Sequence, residues 1–318
     1  MIRINMWQKQ DRITEEAHHP RRRVIQIPPH KAPEKQGAEQ GESSKNVHEV
    51  LEELNSLIGL ADVKKLISEV YAFVEIQKRR QKEKLINDPQ VLHMIFRGNP
   101  GTGKTTMARI IGKLFKAMGI LPKGHLVEVE RADLVGEYIG HTAQKTREML
   151  KKARGGVMFI DEAYSLARGG EKDFGKEAID ALVKGMEDNK DSLIVVLAGY
   201  QDEMDLFIDT NPGLRSRFPI HLDFPDYSTR ELMEIADMML QHKQYRLHAA
   251  AQEELRRILE IQTRRHQHSG NARLVRNMVE KAIRQQAVRL VHKENTTRDD
   301  LMSIIREDIV VVTDNIEF

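Results

Sequence analysis

The segment Gly98-Asn99-Pro100-Gly101-Thr102-Gly103-Lys104-Thr105 constrains this chain more than any other. It has the form G-x-x-x-x-G-K-[ST], follows the apolar run VLHMIFR (91–97) and opens into the helical pattern TTMARIIGKLF (105–115). Glycines let such a loop curl until successive N–H groups point inward, and the following helix adds the partial positive charge of its N-terminus. That arrangement suits a chain of phosphates. Lys104 would reach the β- and γ-phosphates, the Thr105 hydroxyl would join a Mg²⁺ shell, and Thr106 extends the same turn. A Gly-rich turn with a solvated lysine would not require all eight positions together with both flanks.

From Val91 to about Pro225, short apolar runs alternate with amphipathic helices, the pattern of a parallel sheet wrapped by helices. VLHMIFR, HLVEVE, GVMFID and SLIVVLAG read as strands, with HLDFP as a fifth. Beyond Tyr227 the alternation stops. STRELMEIADMML, AAQEELRRILEI and ARLVRNMVEKAIRQQAVRLV place apolar residues three and four apart, so a small helical domain follows the sheet. The chain is 318 residues long, enough for two cores. We therefore expect an arm over 1–45, an α/β domain over 46–226 and a helical lid with a tail over 227–318. The closing DIVVV run (308–312) reads as a strand or a tail.

The apolar strand GGVMFIDEA ends in two adjacent carboxylates, Asp161 and Glu162. Strand C-termini gather on one edge of a parallel sheet, which puts this pair beside the phosphates. There Asp161 would hold the magnesium shell and Glu162 would polarise the attacking water. An acidic pair after a strand also serves as a helix cap, but the phosphate loop upstream favours the chemical role.

Composition narrows the remaining classes. With 50 basic and 48 acidic side chains the net charge is +2, so a polycationic surface for nucleic acid or lipid is absent in bulk. The short cluster Arg21, Arg22, Arg23 reads as solvated tail. There is no cysteine, which excludes disulfides and thiolate chemistry and agrees with a reducing compartment. No run approaches the roughly 18 apolar residues of a membrane span, so a cytoplasmic chain without membrane insertion is expected. His266 and His268 lack neighbouring carboxylates and read as solvated rather than metal-binding.

The order of these pieces, with LIGLADVKKLI (57–67) ahead of the phosphate loop and an all-helical segment after the sheet, resembles the AAA+ ATPases over about residues 50–292. DLVGEYIGHTAQKTREML (133–150), DEAYSLARGG (161–170), AGYQDEMD (198–205) and NPGLRSRFPIHLDFPDYS (211–228) are similar to the branch of red-type rubisco activases and stage V sporulation proteins. ERADLVGEYIGHTAQKT and ARGGEKDFGKEAIDALVK stand nearer its sporulation side.

The resemblance implies an α/β P-loop NTPase with a five-stranded parallel sheet and a small α-helical lid, assembling with itself into a ring, a hexamer, with ATP and Mg²⁺ as cofactors. It implies an arginine finger at Arg217, with Arg215 competing for that role, and a nucleotide-sensing arginine at Arg273. Tyr200 stands where the superfamily often has a sensor asparagine; a phenol also donates a hydrogen bond, but with a different reach. Ile58, Gly59 and Leu60 correspond to an adenine-packing segment, although a plain helix-ending turn fits them nearly as well. Tyr138, with Ile139, corresponds to an aromatic pore loop that grips an extended substrate, and the flanking Gly136 and Gly140 suit a loop better than a core.

The function expected is ATP hydrolysis that drives remodelling of an unidentified protein client, in spore formation. The alternatives are a nucleic-acid motor or loader, and a nucleotide-gated scaffold. Near neutrality and 5% aromatic residues weigh against the first, and the intact acidic pair weighs against the second.

Overall fold

A computed structural model of the protein describes residues 38–86, 91–138, 140–169, 173–265 and 270–310. Arg21, Arg22, Arg23, Ile139, His266 and His268 lie outside the described residues.

Two helices, α1 (Ala38–Ser56) and α2 (Ala61–Lys82), precede the sheet. The first begins ahead of the apolar pattern that starts near Val47, in a run whose Ala, Glu and Gln extend a helix by propensity without an apolar face. There follow β1 (Met94–Gly98), α3 (Lys104–Ala117), β2 (Leu126–Val129), α4 (Arg131–Leu134), α5 (His141–Ala153) and β3 (Val157–Ile160). After a 3-10 turn (Ala163–Ala167) come α6 (Gly175–Asp188), β4 (Ile194–Gly199), α7 (Gln201–Asp209), α8 (Pro212–Arg215) and β5 (Ile220–Phe224).

The five strands form a parallel sheet in the order β2-β3-β4-β1-β5. Its central strands β3 and β4 are buried throughout, because helices cover both faces. The edge strands differ: β2 exposes Glu128 and β5 exposes Asp223, charges that discourage further strand pairing. Alternate residues feed opposite cores. Met94 and Phe96 join Phe159 and Val196 beneath α2 and α3, while Ile95 joins Met158, Val195 and Leu197 against α5, α6 and α7.

The segment after β5 folds as α9 (Thr229–His242), β6 (Arg246–Leu247), α10 (Ala249–Arg265), α11 (Asn271–Val291), α12 (Arg298–Met302) and β7 (Ser303–Ile304). Leu232, Leu255, Leu259, Val275 and Ile304 share its core, and Ser228 caps α9 through a reciprocal bond with Glu231. The pairing of β6 with β7 is parallel and two residues long. Of the DIVVV run, Asp308 ends a 3-10 turn (Arg306–Asp308), where its buried carboxylate holds Arg289 at 2.9 Å, and Val311 and Val312 lie outside the described residues. Among the described residues no helix is long and apolar enough to cross a membrane.

Candidate active site

The phosphate-loop segment connects β1 to α3 and forms one wall of a cleft of about 400 Å³. Gly98, Pro100, Gly101, Gly103, Lys104, Thr105 and Thr106 line it, whereas the buried Thr102 turns its hydroxyl inward to the Asn99 carbonyl at 2.8 Å. Gly101 has φ +74°, and a Cβ there would lie 2.3 Å from the Gly270 carbonyl oxygen. The loop thus leaves no room for a side chain where the lid meets it. The Lys104 amine donates to the Gly98 and Asn99 carbonyls at 2.7 and 2.8 Å. Burial holds its pKa below the ordinary lysine value, against the opposing pull of Asp161, Asp226 and Glu162.

The opposite wall carries Asp161 and Glu162 at the end of β3, with Gly199 and Tyr200 at the end of β4. Strand order explains the meeting: β4 lies between β3 and β1, so all three C-terminal ends open on one edge. Glu162 has φ +46°, a left-handed conformation costing a non-glycine residue about 1 kcal/mol, and its N–H donates to the Asp161 carboxylate at 3.0 Å. Tyr200 heads α7 and sets its ring 6.1 Å from that of Tyr164, whose hydroxyl pKa is pushed up to about 12, first by burial and then by Glu162.

Helix α11 closes the cleft, with Ala272, Arg273 and Arg276 on its lining. The Ala272 N–H donates to the Gly101 carbonyl at 3.1 Å. Asn271 is fully buried with φ +47°, a conformation that asparagine tolerates better than most residues. Its amide donates to the Asp226 carboxylate at 2.7 Å and the Pro100 carbonyl at 3.3 Å, while its carbonyl accepts the Tyr227 N–H at 2.9 Å. Tyr227 in turn donates its hydroxyl to the Thr102 carbonyl at 3.2 Å.

Two family descriptions match this architecture: "ATPase family associated with various cellular activities (AAA)" over residues 94–226, and an AAA lid domain over 228–317. Stage V sporulation protein K of Bacillus subtilis is 54% identical over 83% of this chain and 82% of its own length. The chain is an AAA+ ATPase. Within that family it belongs to the branch of the sporulation protein and the red-type activases. Protein CbbX of Cereibacter sphaeroides is 49% identical, covering 82% of this chain and 85% of its own. The chloroplastic ribulose bisphosphate carboxylase/oxygenase activase of Cyanidioschyzon merolae is 46% identical, covering 83% and 91%. Among solved structures, the FIGL-1 AAA domain in complex with ADP matches with a TM-score of 0.54 at 19% identity, covering 80% of each chain. That last likeness speaks to the fold alone.

Other residues singled out in the AAA+ sequence lie away from the cleft. Arg217 donates Nη1 to the Gly213 carbonyl at 2.8 Å and Nε to Glu187 at 3.0 Å, with a second contact to Glu187 through Nη2. Arg215 is more exposed and, among the described residues, pairs only with Asp209, at 3.7 Å. Tyr138 is 65% exposed, its ring edge-on to His141 at 5.4 Å, and its loop is braced by a bond of 2.9 Å from the Gly136 N–H to the Thr142 hydroxyl. Ile58 and Gly59 do not line the cleft: Ile58 packs against the lid core, and Gly59 faces Glu231 and Tyr227. Sequence reasoning overlooked Asp226, Asn271 and Arg276. The last was legible in principle, standing three residues after Arg273 and hence on the same helix face.

Proposed function

We propose that this AAA+ ATPase is the subunit of a ring, a hexamer, that uses ATP hydrolysis to remodel a protein client. The exposed Tyr138 on its braced loop carries this reading, because an aromatic held 65% in solvent buries little of its ring and suits a grip on an extended chain. The name of the Bacillus subtilis relative points to spore formation as the setting, and the near-neutral charge favours a protein client over nucleic acid.

Thr105 and Asp161 fit a Mg²⁺ ion, since a hydroxyl and a carboxylate oxygen are hard donors and both residues line the same cleft. A bound Mg²⁺ would supply charge neutralisation at the β- and γ-phosphates. The chain's own groups do the rest. Backbone N–H groups of the phosphate loop hold the phosphates, and Lys104 trades its carbonyl partners for phosphate oxygens. Glu162 orients and polarises the attacking water. Arg217 lies outside its own cleft, which suits a guanidinium delivered to the γ-phosphate of a neighbouring subunit, and Arg273 reads nucleotide from the lid. The secured Arg217 is the better finger than the loosely placed Arg215, since a fixed donor loses less freedom when it acts.

Subunit mixing tests the ring. Glu162→Gln and Arg217→Ala proteins, each inactive alone, should together regain part of the ATPase activity at mixed boundaries. A complete lack of rescue would remove the case for action across subunits.

A further inference from the structure

We propose that Arg276 is a second lid guanidinium that contacts the terminal phosphate of ATP, so that preference for triphosphate over diphosphate depends on it. The inference deepens the proposed reading of the cleft as the nucleotide site and rests on it.

Position comes first. Helix α11 is tied to the phosphate loop by the Ala272 to Gly101 bond at 3.1 Å and by buried Asn271. Its first turn therefore has a set place relative to any phosphate the loop holds. Arg273 and Arg276 are three residues apart on one helix face, separated by about 4.5 Å of helical rise. Both line the cleft that also contains Asp161, Glu162 and Tyr200. A terminal phosphate must sit near Glu162 for that carboxylate to direct water at it, and Arg276 lines the same cleft as Glu162.

Charge points the same way. Both cleft arginines are exposed, and neither guanidinium has a hydrogen bond or ion pair among the described residues. Arg289, farther along the same helix, is gripped by both oxygens of Asp308 at 2.9 Å, so an α11 arginine with a structural task shows its partner. Lys104, Arg273 and Arg276 line the cleft together with Asp161 and Glu162. A triphosphate brings one more negative group than a diphosphate, and a guanidinium fork matches phosphate oxygens two at a time. Arg273 directly follows the Ala272 tie to Gly101, whereas Arg276 lies nearly one helical turn farther from that tie, which offers the added group a cation besides Lys104 and Arg273.

The test uses full-length protein carrying Glu162→Gln to prevent turnover, at a concentration where it remains monomeric in ATP. Affinities for Mg-ATP and Mg-ADP are measured by displacement of a fluorescent ADP. Arg276→Gln should weaken ATP about tenfold, as expected for loss of one charge-assisted contact, while ADP changes less than about twofold. Arg276→Lys should fall between, since an amine keeps the charge and loses the fork. Unchanged melting temperature without nucleotide would show that the fold is intact. Equal weakening of both nucleotides, or no change in either, overturns the proposal. Arg273→Gln separates two failures: if it weakens binding while Arg276→Gln does not, only the role of Arg276 falls. If Arg273→Gln and Lys104→Ala also leave both nucleotides unaffected, the reading of the cleft itself falls.

Discussion

The Asn271 side chain, fully buried, donates to the Asp226 carboxylate at 2.7 Å, and that same carboxylate accepts the Asn99 amide at 2.9 and 3.0 Å. One acid thus joins the phosphate loop to the first turn of the lid helix. Replacing Asn271 by alanine removes the acceptor of the half-buried Tyr227 N–H and one donor to the exposed Asp226 carboxylate, and puts at φ +47° a residue that tolerates the left-handed region less well than asparagine. An unpaired, partly buried donor costs on the order of 1 kcal/mol and the left-handed turn adds about 1 kcal/mol of strain, so Asn271→Ala should lower the melting temperature by a few degrees and weaken nucleotide binding. Calorimetry and nucleotide titration check both; an unaltered melting curve would contradict the coupling.

Gly101 makes the same junction from the loop side. An alanine Cβ would lie 2.3 Å from the Gly270 carbonyl oxygen and 2.9 Å from the Arg273 nitrogen, both backbone atoms that cannot swing aside. Gly101→Ala should therefore displace α11 from the loop. Hydrogen exchange at the Ala272 and Arg273 amides should accelerate while β3 and β4 stay protected, and protection retained at α11 would refute the clash.

His93 predicts a pH dependence of stability. Burial depresses its pKa from 6.5 to about 4, and its Nδ1 accepts the Val195 N–H at 3.0 Å. The unfolded chain binds this proton below pH 6.5, whereas the folded chain resists it until about pH 4. Stability from this group is complete above pH 6.5 and declines as pH falls toward 4, by on the order of 3 kcal/mol. Denaturation of His93→Gln across that range should show a flatter profile than wild type. Parallel profiles would mean that His93 titrates normally.

The pair between Glu187 and Arg217 is partly exposed, at 57% and 33% for the two side chains. Its worth to stability is accordingly within about 1 kcal/mol. Its effect should appear in turnover: Glu187→Ala frees the guanidinium and should lower kcat up to about fivefold with nucleotide affinity unchanged. Steady-state ATPase assays together with nucleotide titration separate the two quantities, and a fall in affinity alone would assign Glu187 to another task.

Much of the site was legible because its chemistry is written consecutively. Gly98 to Thr105 and the pair Asp161 and Glu162 are each one unbroken segment, and a strand before each announces the edge on which it emerges. Helices and long strands were equally plain, since their apolar residues repeat with a regular period. The pairing of Arg246–Leu247 with Ser303–Ile304 was not, because two residues contain no period. Glu187 gives no sign in the sequence of its bond to Arg217, thirty positions away.

By itself, then, the sequence determined a phosphate-binding loop, an acidic pair, a helix-wrapped parallel sheet and a helical lid. Tertiary structure alone decided which lid groups meet the loop. Asn271 is 45 positions from Asp226 and 171 from Pro100, and both bonds require a buried amide in a left-handed turn. Such contacts arise from packing two folded layers together, and no local pattern of residues encodes the distance between them.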